Sequence, residues 1–189
     1  MISEKLKNLD NLNSINFQTI FTKTSSNYKF EISIFTISCS FLISFLLIIF
    51  YYFSVLELIQ IQLIIFLGIY LFLTNFNNFF IKILPKNYKN LVASKNAQNQ
   101  FYNLKQNTKK QSIIFFISFE EKYVEIITDD EISKTIPNSH WQNIIDEFVI
   151  SIKENQLLNG YEKAILACNS ILIEKFPNNK NEIKWKEFY

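Results

Sequence analysis

The sequence contains no arginine, and its net charge is small. All 19 basic residues are therefore lysines; with 17 acidic residues, the formal net charge is +2. Without a guanidinium group there is no planar fork for bidentate recognition of phosphate or guanine. So small an excess of positive charge is also unlike the basic surface of a nucleic-acid-binding protein. We therefore predict no nucleic-acid partner.

Glycine, histidine and cysteine are scarce as well. The two glycines, Gly68 and Gly160, are far apart, which excludes a P-loop, a dinucleotide-binding fingerprint and a nucleophile elbow. His140 is the only histidine. It falls at a predicted helix start, where we interpret it as a solvated residue rather than part of a triad. Cys39 and Cys168 lie in different segments and are interpreted as small apolar residues, not as a disulfide.

Long apolar runs are abundant, and they are concentrated between residues 32 and 84. No charged residue occurs in residues 32–56 or in residues 58–81. A helix of roughly 20 apolar residues crosses the hydrocarbon core of a bilayer. The two runs therefore predict a transmembrane hairpin with its turn around residues 57–62. Buried helices of a soluble core would keep a polar stripe, and a cleaved signal peptide would be shorter and nearer the start.

The lysines predict the orientation of this hairpin. Lysines precede it and follow it, but none lies in its predicted turn. By the positive-inside rule, both termini should lie in the cytoplasm and the turn outside. Neither span carries a charged side chain of the kind that a transporter or pump uses to hold its substrate. The hairpin is therefore predicted to be an anchor in the lipid bilayer.

Residues 85–189 have the pattern of a globular domain. An amphipathic helix is predicted at residues 91–107, followed by a continuously apolar strand at 112–119 that suits the centre of a sheet. A second strand at 123–128 follows after so short a turn that the two must be antiparallel. Two further helices complete the pattern. Trp141 is the first apolar residue of the first helix, and Asn159 and Gly160 separate it from the second.

The first 31 residues allow two interpretations. Residues 4–12 are typical of a short polar helix, and Ile15, Phe17, Thr19 and Phe21 nearly alternate with polar residues. This alternation predicts an edge strand. A loose tail next to the membrane fits the same pattern equally well.

Ordered landmarks in the chain resemble the TPM domain family, and most of all a bacterial membrane form of it. The stretch SIIFFISFEEKYVEIITDDEI is followed by PNSHW, NGYEKAI and KFPNNKNEI, so the resemblance covers about residues 90–183. The matching positions are Ser118, Glu121, Tyr123, Glu125, Asp129, Asp130, Ile132, Trp141, Gly160, Ala164, Ile165, Phe176, Pro177, Asn181 and Glu182. Lys122 and Glu131 depart from the family, which usually has arginine and glycine there.

The resemblance implies how the chain is organised. In the bacterial form, a two-helix membrane insertion divides the domain, and TSSNYKF at residues 24–30 occupies the place of the family run that ends the first strand. We therefore expect an α/β (α+β) TPM-like domain with a mixed sheet packed by helices. Residues 1–31 would form its first part, residues 32–84 the transmembrane hairpin, and residues 85–189 its main part. The expected location is the bacterial inner (plasma) membrane.

The candidate chemistry is acidic, and no catalytic residue or certain cofactor is assigned. Asp129 and Asp130 end a predicted strand, Glu121 lies in the turn before it, and Glu182 lies near the C-terminus. Such carboxylates supply the oxygen ligands that Ca²⁺ and Mg²⁺ prefer, so these four residues form a hypothetical metal site. Capping of the next helix by Asp129 or Asp130 is the favoured alternative.

These patterns lead to two hypotheses of function. The first is a membrane-anchored, non-enzymatic TPM module that binds a membrane-protein partner or supports assembly of a membrane complex. The second follows from the resemblance, because some TPM domains are calcium-binding or weakly phosphatase-like. It is a calcium- or magnesium-dependent, acid-phosphatase-like hydrolase that uses the acidic residues. A small transport subunit is a weaker third idea.

Overall fold

The computed structural model describes residues 15–108 and 110–176, together with the backbone of residues 183–187. They form two compact units. The sheet unit takes the described residues up to Ser25 and from Asn90 onward, and the hairpin unit is Ser26–Lys89. The helix predicted at residues 4–12 lies outside the described residues.

The sheet unit contains four strands and four helices in the part of the chain described. In chain order they are β1 (Asn16–Thr22), α4 (Lys86–Gln106, which begins in the hairpin unit), β2 (Ser112–Ser118), β3 (Tyr123–Thr128), α5 (Asp130–Thr135), α6 (Asn138–Lys153), α7 (Leu157–Lys175) and β4 (Ile183–Glu187). The hairpin unit contains α1 (Lys29–Phe50), α2 (Val55–Asn75) and α3 (Asn77–Ile83).

The sheet is mixed, with the strand order β3-β2-β1-β4. β1 is parallel to both of its neighbours, with Phe17 opposite Ile113 of β2 and Ile183 of β4. β2 and β3 are antiparallel, as their short connection predicted. The α+β class expected from the sequence is confirmed, and the alternating segment near the start is a strand rather than a loose tail. It is not an edge strand, however, because β4 pairs with its outer side.

Every residue of β2 is buried, as its continuous apolar run predicted. On one face, Ile113, Phe115 and Ile117 pack in a core with the apolar sides of α6 and α7. On the other face, Ile114 and Phe116 pack against Ala93 and Ala97 of α4. The strand is therefore covered by helices on both sides, which explains why it lacks the alternation of a half-exposed strand.

α6 and α7 approach each other closely at Gly160. A Cβ atom built on Gly160 would lie 2.4 Å from Cβ of Ser151 in α6. Next to this contact, Phe148 of α6 meets Phe115 of β2 edge to face, with ring centroids 5.4 Å apart. The NG pair predicted to separate two helices therefore lies inside the first turn of α7, where the absence of a side chain allows the contact.

In the hairpin unit, α1 and α2 are each long and apolar enough to cross a membrane, with 22 and 21 residues. Large apolar side chains on both helices are exposed, and Leu73 is the one buried residue of α2. The buried residues of α1 are Ile32, Thr36, Ser40 and Ser44, which recur every fourth residue. Three of these four residues, Thr36, Ser40 and Ser44, are small, which allows a neighbouring helix to approach closely.

The ends of both apolar segments differ from those predicted. α1 ends at Phe50, and the connection is residues 51–54 rather than 57–62. The reason is a capping box: Ser54 Oγ accepts from Glu57 N at 3.4 Å, and Ser54 N donates to Glu57 Oε2 at 2.8 Å. The second run is not one helix through residue 81, because Phe76 leaves the helical conformation between α2 and α3.

Candidate functional site

The candidate site lies where β3 ends beside the start of β2. Because the two strands are antiparallel, Asp129 follows β3 directly next to Ser112, the first residue of β2. Asp129 N donates to Ser112 O at 3.0 Å, and Ser112 N donates to Asp129 Oδ2 at 3.2 Å. The Asp129 side chain is thus anchored to the sheet, and the residue is 8% exposed.

The second oxygen of Asp129 is also occupied. Lys105, in the last turn of α4, forms an ion pair through Nζ with Asp129 Oδ1. The hydrogen bond to Asp129 raises the pKa of Lys105, and the charges of Asp129, Asp130 and Glu131 act in the same direction. The lysine therefore stays protonated and neutralises one carboxylate of the candidate site.

A cleft of about 510 Å³ opens around this pair. We call it the polar cleft; it is lined by Lys105, Thr108, Lys110, Gln111, Asp129, Asp130 and Glu131. Gln111 Nε2 donates to Glu131, whereas Gln111 Oε1 is buried without a hydrogen-bond partner among the described residues. Two lysines and three carboxylates line the cleft, so its electrostatic character is mixed rather than purely acidic.

Asp129 occupies the N-cap position of α5, but its side chain does not cap the helix. Asp129 is the residue before α5, as predicted, but its side chain makes no capping hydrogen bond to that helix. Its carboxylate bonds to Ser112 and Lys105 instead, because these two groups reach it from β2 and α4. Asp130 is the first residue of the helix and is exposed.

Glu121 lies at the other end of β2, far from the polar cleft. β2 separates it from Asp129 by seven residues, or about 20 Å of extended chain. Its carboxylate is buried, accepting from Ser25 N at 2.8 Å and from Ser118 Oγ. Asn96 of α4 donates to Ser25 O. We call Ser25, Asn96, Ser118 and Glu121 the Glu121 network.

The four acidic residues predicted as metal ligands are therefore not brought together within the described chain. Asp129 and Asp130 are adjacent, Glu121 is at the opposite end of the sheet, and Glu182 lies outside the described residues. Among the residues described, no group of three or more His, Cys, Asp or Glu side chains is placed to hold a metal. A divalent cation with six or more oxygen ligands would have to displace Lys105, so the described residues do not fit it.

The environments of His140 and Cys168 agree with their interpretation from the sequence. His140 is exposed near the start of α6, as expected for a solvated histidine. Cys168 is fully buried in the core, and burial raises the pKa of its thiol to about 12. A thiol that remains protonated at neutral pH is a poor nucleophile, which agrees with its interpretation as a small apolar residue.

Three polar contacts were not predicted from the sequence. They are the Lys105–Asp129 ion pair, the Glu121 network, and a hydrogen bond of 3.0 Å from Tyr123 Oη to Glu125 Oε2. Burial raises the pKa of both Glu125 and Tyr123. Only the last of these three contacts could have been predicted from the sequence. Tyr123 and Glu125 are two residues apart on a predicted strand, and this spacing places both side chains on the same face.

Comparison with known proteins supplies a family match. A family model described as the TPM domain matches residues 78–171. No curated protein matches the sequence. Among solved structures, the NMR structure of the BA42 protein from the psychrophilic bacterium Bizionia argentinensis is similar, with 13% identity and a TM-score of 0.48; the alignment covers 98% of this chain and 90% of that one.

The matched range differs from the range expected from sequence landmarks. It begins in α3, before residue 90, and ends within α7. Trp141, Gly160, Ala164 and Ile165 therefore lie within it, whereas the landmarks from Phe176 onward lie beyond it.

Proposed function

The chain contains a TPM domain, and from this premise we propose that it is a membrane-anchored, non-enzymatic module that binds a partner protein at the membrane. The observation that carries the proposal is the apolar surface of α1 and α2. Phe41, Phe45 and Ile64, for example, are between 60% and 70% exposed. In water such a surface would be a strong association site, whereas in lipid it needs no protein cover.

The proposed arrangement is a hairpin that crosses the bacterial inner membrane twice, with both termini in the cytoplasm. Lys29 lies at the start of α1, and Lys82, Lys86 and Lys89 follow α2, whereas residues 51–54 between the spans carry no charge. This asymmetry supports a cytoplasmic sheet unit by the positive-inside rule. A partner in the same membrane could then be held close to the TPM domain.

The geometry of the candidate site supports a binding rather than a catalytic role. The best-placed carboxylate, Asp129, already accepts hydrogen bonds from Ser112 and Lys105, and Glu121 is committed to a buried network. Neither is free to act as a general base or nucleophile without breaking a contact of the fold. The exposed walls of the polar cleft remain available for a polar group of a partner.

Membrane anchoring and orientation are tested on the full chain in bacterial cells. Alkaline carbonate should leave the protein in the membrane pellet. Reporter fusions after Asn90 should be active in the cytoplasm, and fusions at Phe53 should be active outside. Release by carbonate would overturn the anchor. Reversed reporter activities would overturn the orientation alone.

The alternative function is the divalent-metal-dependent phosphatase. It is favoured by one feature, the three consecutive acidic residues Asp129, Asp130 and Glu131 at the polar cleft. Thermal unfolding of the detergent-solubilised protein with added calcium or magnesium tests it, because a ligand of the folded state raises the melting temperature. A saturable rise that disappears in an Asp129→Asn/Asp130→Asn variant, with metal-dependent phosphate release, would replace the non-enzymatic proposal.

A further inference from the structure

A groove of about 570 Å³ lies within the hairpin unit, at the end where the apolar helices meet α3 and the start of α4. We call it the hairpin groove. Its walls come from the first turns of α1, from α3 and from the residues around Pro85. The volume is that of a pocket for a small molecule or one segment of a larger one.

The lining of the groove is mainly apolar. Phe35 and the buried Phe80 meet edge to face with ring centroids 5.6 Å apart. Phe30, Ile34 and Ile83 are each at least half exposed. An apolar pocket that opens beside two exposed apolar helices is continuous with the surface that we assign to lipid.

One acidic residue, Glu31, lines the groove, and its carboxylate accepts a hydrogen bond. Tyr88 donates its hydroxyl proton to Glu31 across the groove, between the first turn of α4 and the first turn of α1. This hydrogen bond to the carboxylate is also the main reason why the pKa of Tyr88 is raised. The other acidic residue of the hairpin unit, Glu57, lies at the far end of α2, about 30 Å of helix away.

Four lysines lie close in sequence to residues that line the groove, although none of the four is itself a lining residue. Lys29, Lys82 and Lys86 are exposed and Lys89 is half-buried. None of these four lysines forms an ion pair with any residue that the structure describes. Lysines near a membrane surface are attracted to anionic lipids. The chain therefore places cations without an ion-pair partner among the described residues close in sequence to an apolar groove.

We infer that the hairpin groove binds one anionic phospholipid, with an acyl chain among its apolar residues and the headgroup phosphate near Lys82 and Lys86. The inference rests on the proposed membrane anchoring and adds a specific ligand to it. A free phosphate or sugar phosphate would leave the apolar lining uncovered, whereas a zwitterionic lipid would leave the lysines without a net negative partner. An anionic lipid satisfies both features at once.

The test is native mass spectrometry of the full chain in detergent, titrated with phosphatidylglycerol or with phosphatidylcholine of the same acyl chains. Two variants probe the two halves of the site: Lys82→Gln/Lys86→Gln removes charge, and Ile83→Asp places a carboxylate in the groove. Their matched controls are Lys134→Gln/Lys153→Gln and Ile150→Asp, which alter similarly exposed residues of the sheet unit. Glycerol phosphate is added as a competitor, and carbonate extraction is repeated for every variant.

The expected result is a saturable one-lipid adduct that prefers phosphatidylglycerol. The preference should fall on the order of tenfold in the charge variant and the adduct should be lost in Ile83→Asp, with both controls unchanged. Equal binding of the two lipids, or indifference to both variants, would overturn the lipid site while carbonate-resistant anchoring stands. Displacement by glycerol phosphate would show a headgroup site without an acyl groove and also overturn it. Release by carbonate would overturn the anchoring proposal and the lipid site together.

Discussion

At the residue scale, the Glu121 network shows how a buried charge can connect distant parts of the chain. Glu121 is 3% exposed, and its partners Ser25 and Ser118 come from residues on either side of the hairpin in sequence. A buried carboxylate is tolerated only when hydrogen bonds replace its hydration. Here a backbone N–H and a hydroxyl do so at the ends of the parallel strands β1 and β2.

Replacing Glu121 with alanine should destabilise the sheet unit by about 1–3 kcal/mol, because Ser25 N would be left buried without its acceptor. Glu121→Gln keeps an acceptor oxygen and should cost less. Urea unfolding followed by tryptophan fluorescence measures both. The control is Glu120→Ala, whose side chain is half-buried and has no such role. Equal losses for alanine and glutamine would mean that the hydrogen bond to Ser25 is not the source of stability.

Glu125 should make the fold less stable as pH rises. Burial raises the pKa of its carboxyl above the usual 4.5, with the hydrogen bonds from Tyr123 and Ser94 offsetting part of the effect. The folded state therefore holds this proton more tightly than the unfolded state. The resulting stabilisation is present at low pH and is lost as pH rises from 4.5 through the folded pKa.

The measurement is a pair of urea titrations, wild type and Glu125→Gln, repeated between pH 4 and pH 7. The difference between the two proteins should change in favour of the glutamine variant as pH rises. The other titrating groups are common to both proteins, so their contributions cancel in the difference between the two free energies of unfolding. A difference that stays constant with pH, or that changes in favour of the wild type, would contradict the raised pKa.

At the scale of elements, the contact between α6 and α7 depends on Gly160. In Gly160→Ala, the new methyl group would meet Cβ of Ser151, which is rigidly attached to the backbone, so the helices would have to separate. Overpacking of this kind costs about 1–3 kcal/mol. Gly68→Ala in α2 is the matched control, because nothing lies within 4 Å of its new Cβ. Thermal unfolding should show a lower melting temperature for the first variant only.

The elements show what the sequence could and could not predict. β2 and the apolar faces of α4 and α6 were predictable, because a continuous apolar run and helical spacing are local patterns. The break at Phe76 was not placed, although Asn75, Asn77 and Asn78 interrupt the apolar run beside it, because an asparagine does not by itself distinguish the end of a helix from a polar position within it. The Lys105–Asp129 pair was also out of reach, because only the tertiary fold brings the end of α4 to the start of β2.

β4 is an element that the structure contains and that the sequence analysis did not predict. Residues 183–187, with the sequence IKWKE, alternate apolar and polar residues over only four positions, and no strand was predicted there. Its pairing with β1 is what moves β1 into the interior of the sheet. Tertiary pairing with β1 therefore identifies a strand whose local alternation is too short to predict it.

At the scale of the whole molecule, the sheet unit is assembled from two separate stretches of chain. We predict that residues 90–189 alone will not unfold cooperatively, because without β1 the hydrogen-bonding edge of β2 is open and the core loses Ile15 and Phe17. A chain in which a linker of about eight Gly and Ser residues replaces residues 27–89 should fold in water.

Such a linker is long enough for this purpose. Asn96 bonds to Ser25 O, and Asn90 lies six residues earlier on the same helix, or about 9 Å along its axis. Closing a short flexible loop costs little free energy. Circular dichroism and urea unfolding compare the two chains. Cooperative unfolding of residues 90–189 alone, or failure of the linked chain to fold, would contradict a shared sheet.

The insertion of the hairpin between β1 and β2 also imposes an order on biosynthesis. Ser25 and Glu121 are 96 positions apart, so β1 leaves the ribosome long before any strand with which it pairs. Domains otherwise tend to fold as their residues emerge, at about 5–20 residues per second. For several seconds β1 must therefore wait unpaired, while both apolar helices have already been synthesised. On the proposed anchoring, membrane insertion would come before folding of the sheet, and the inserted hairpin would be the tether that holds the two halves of the sheet near each other.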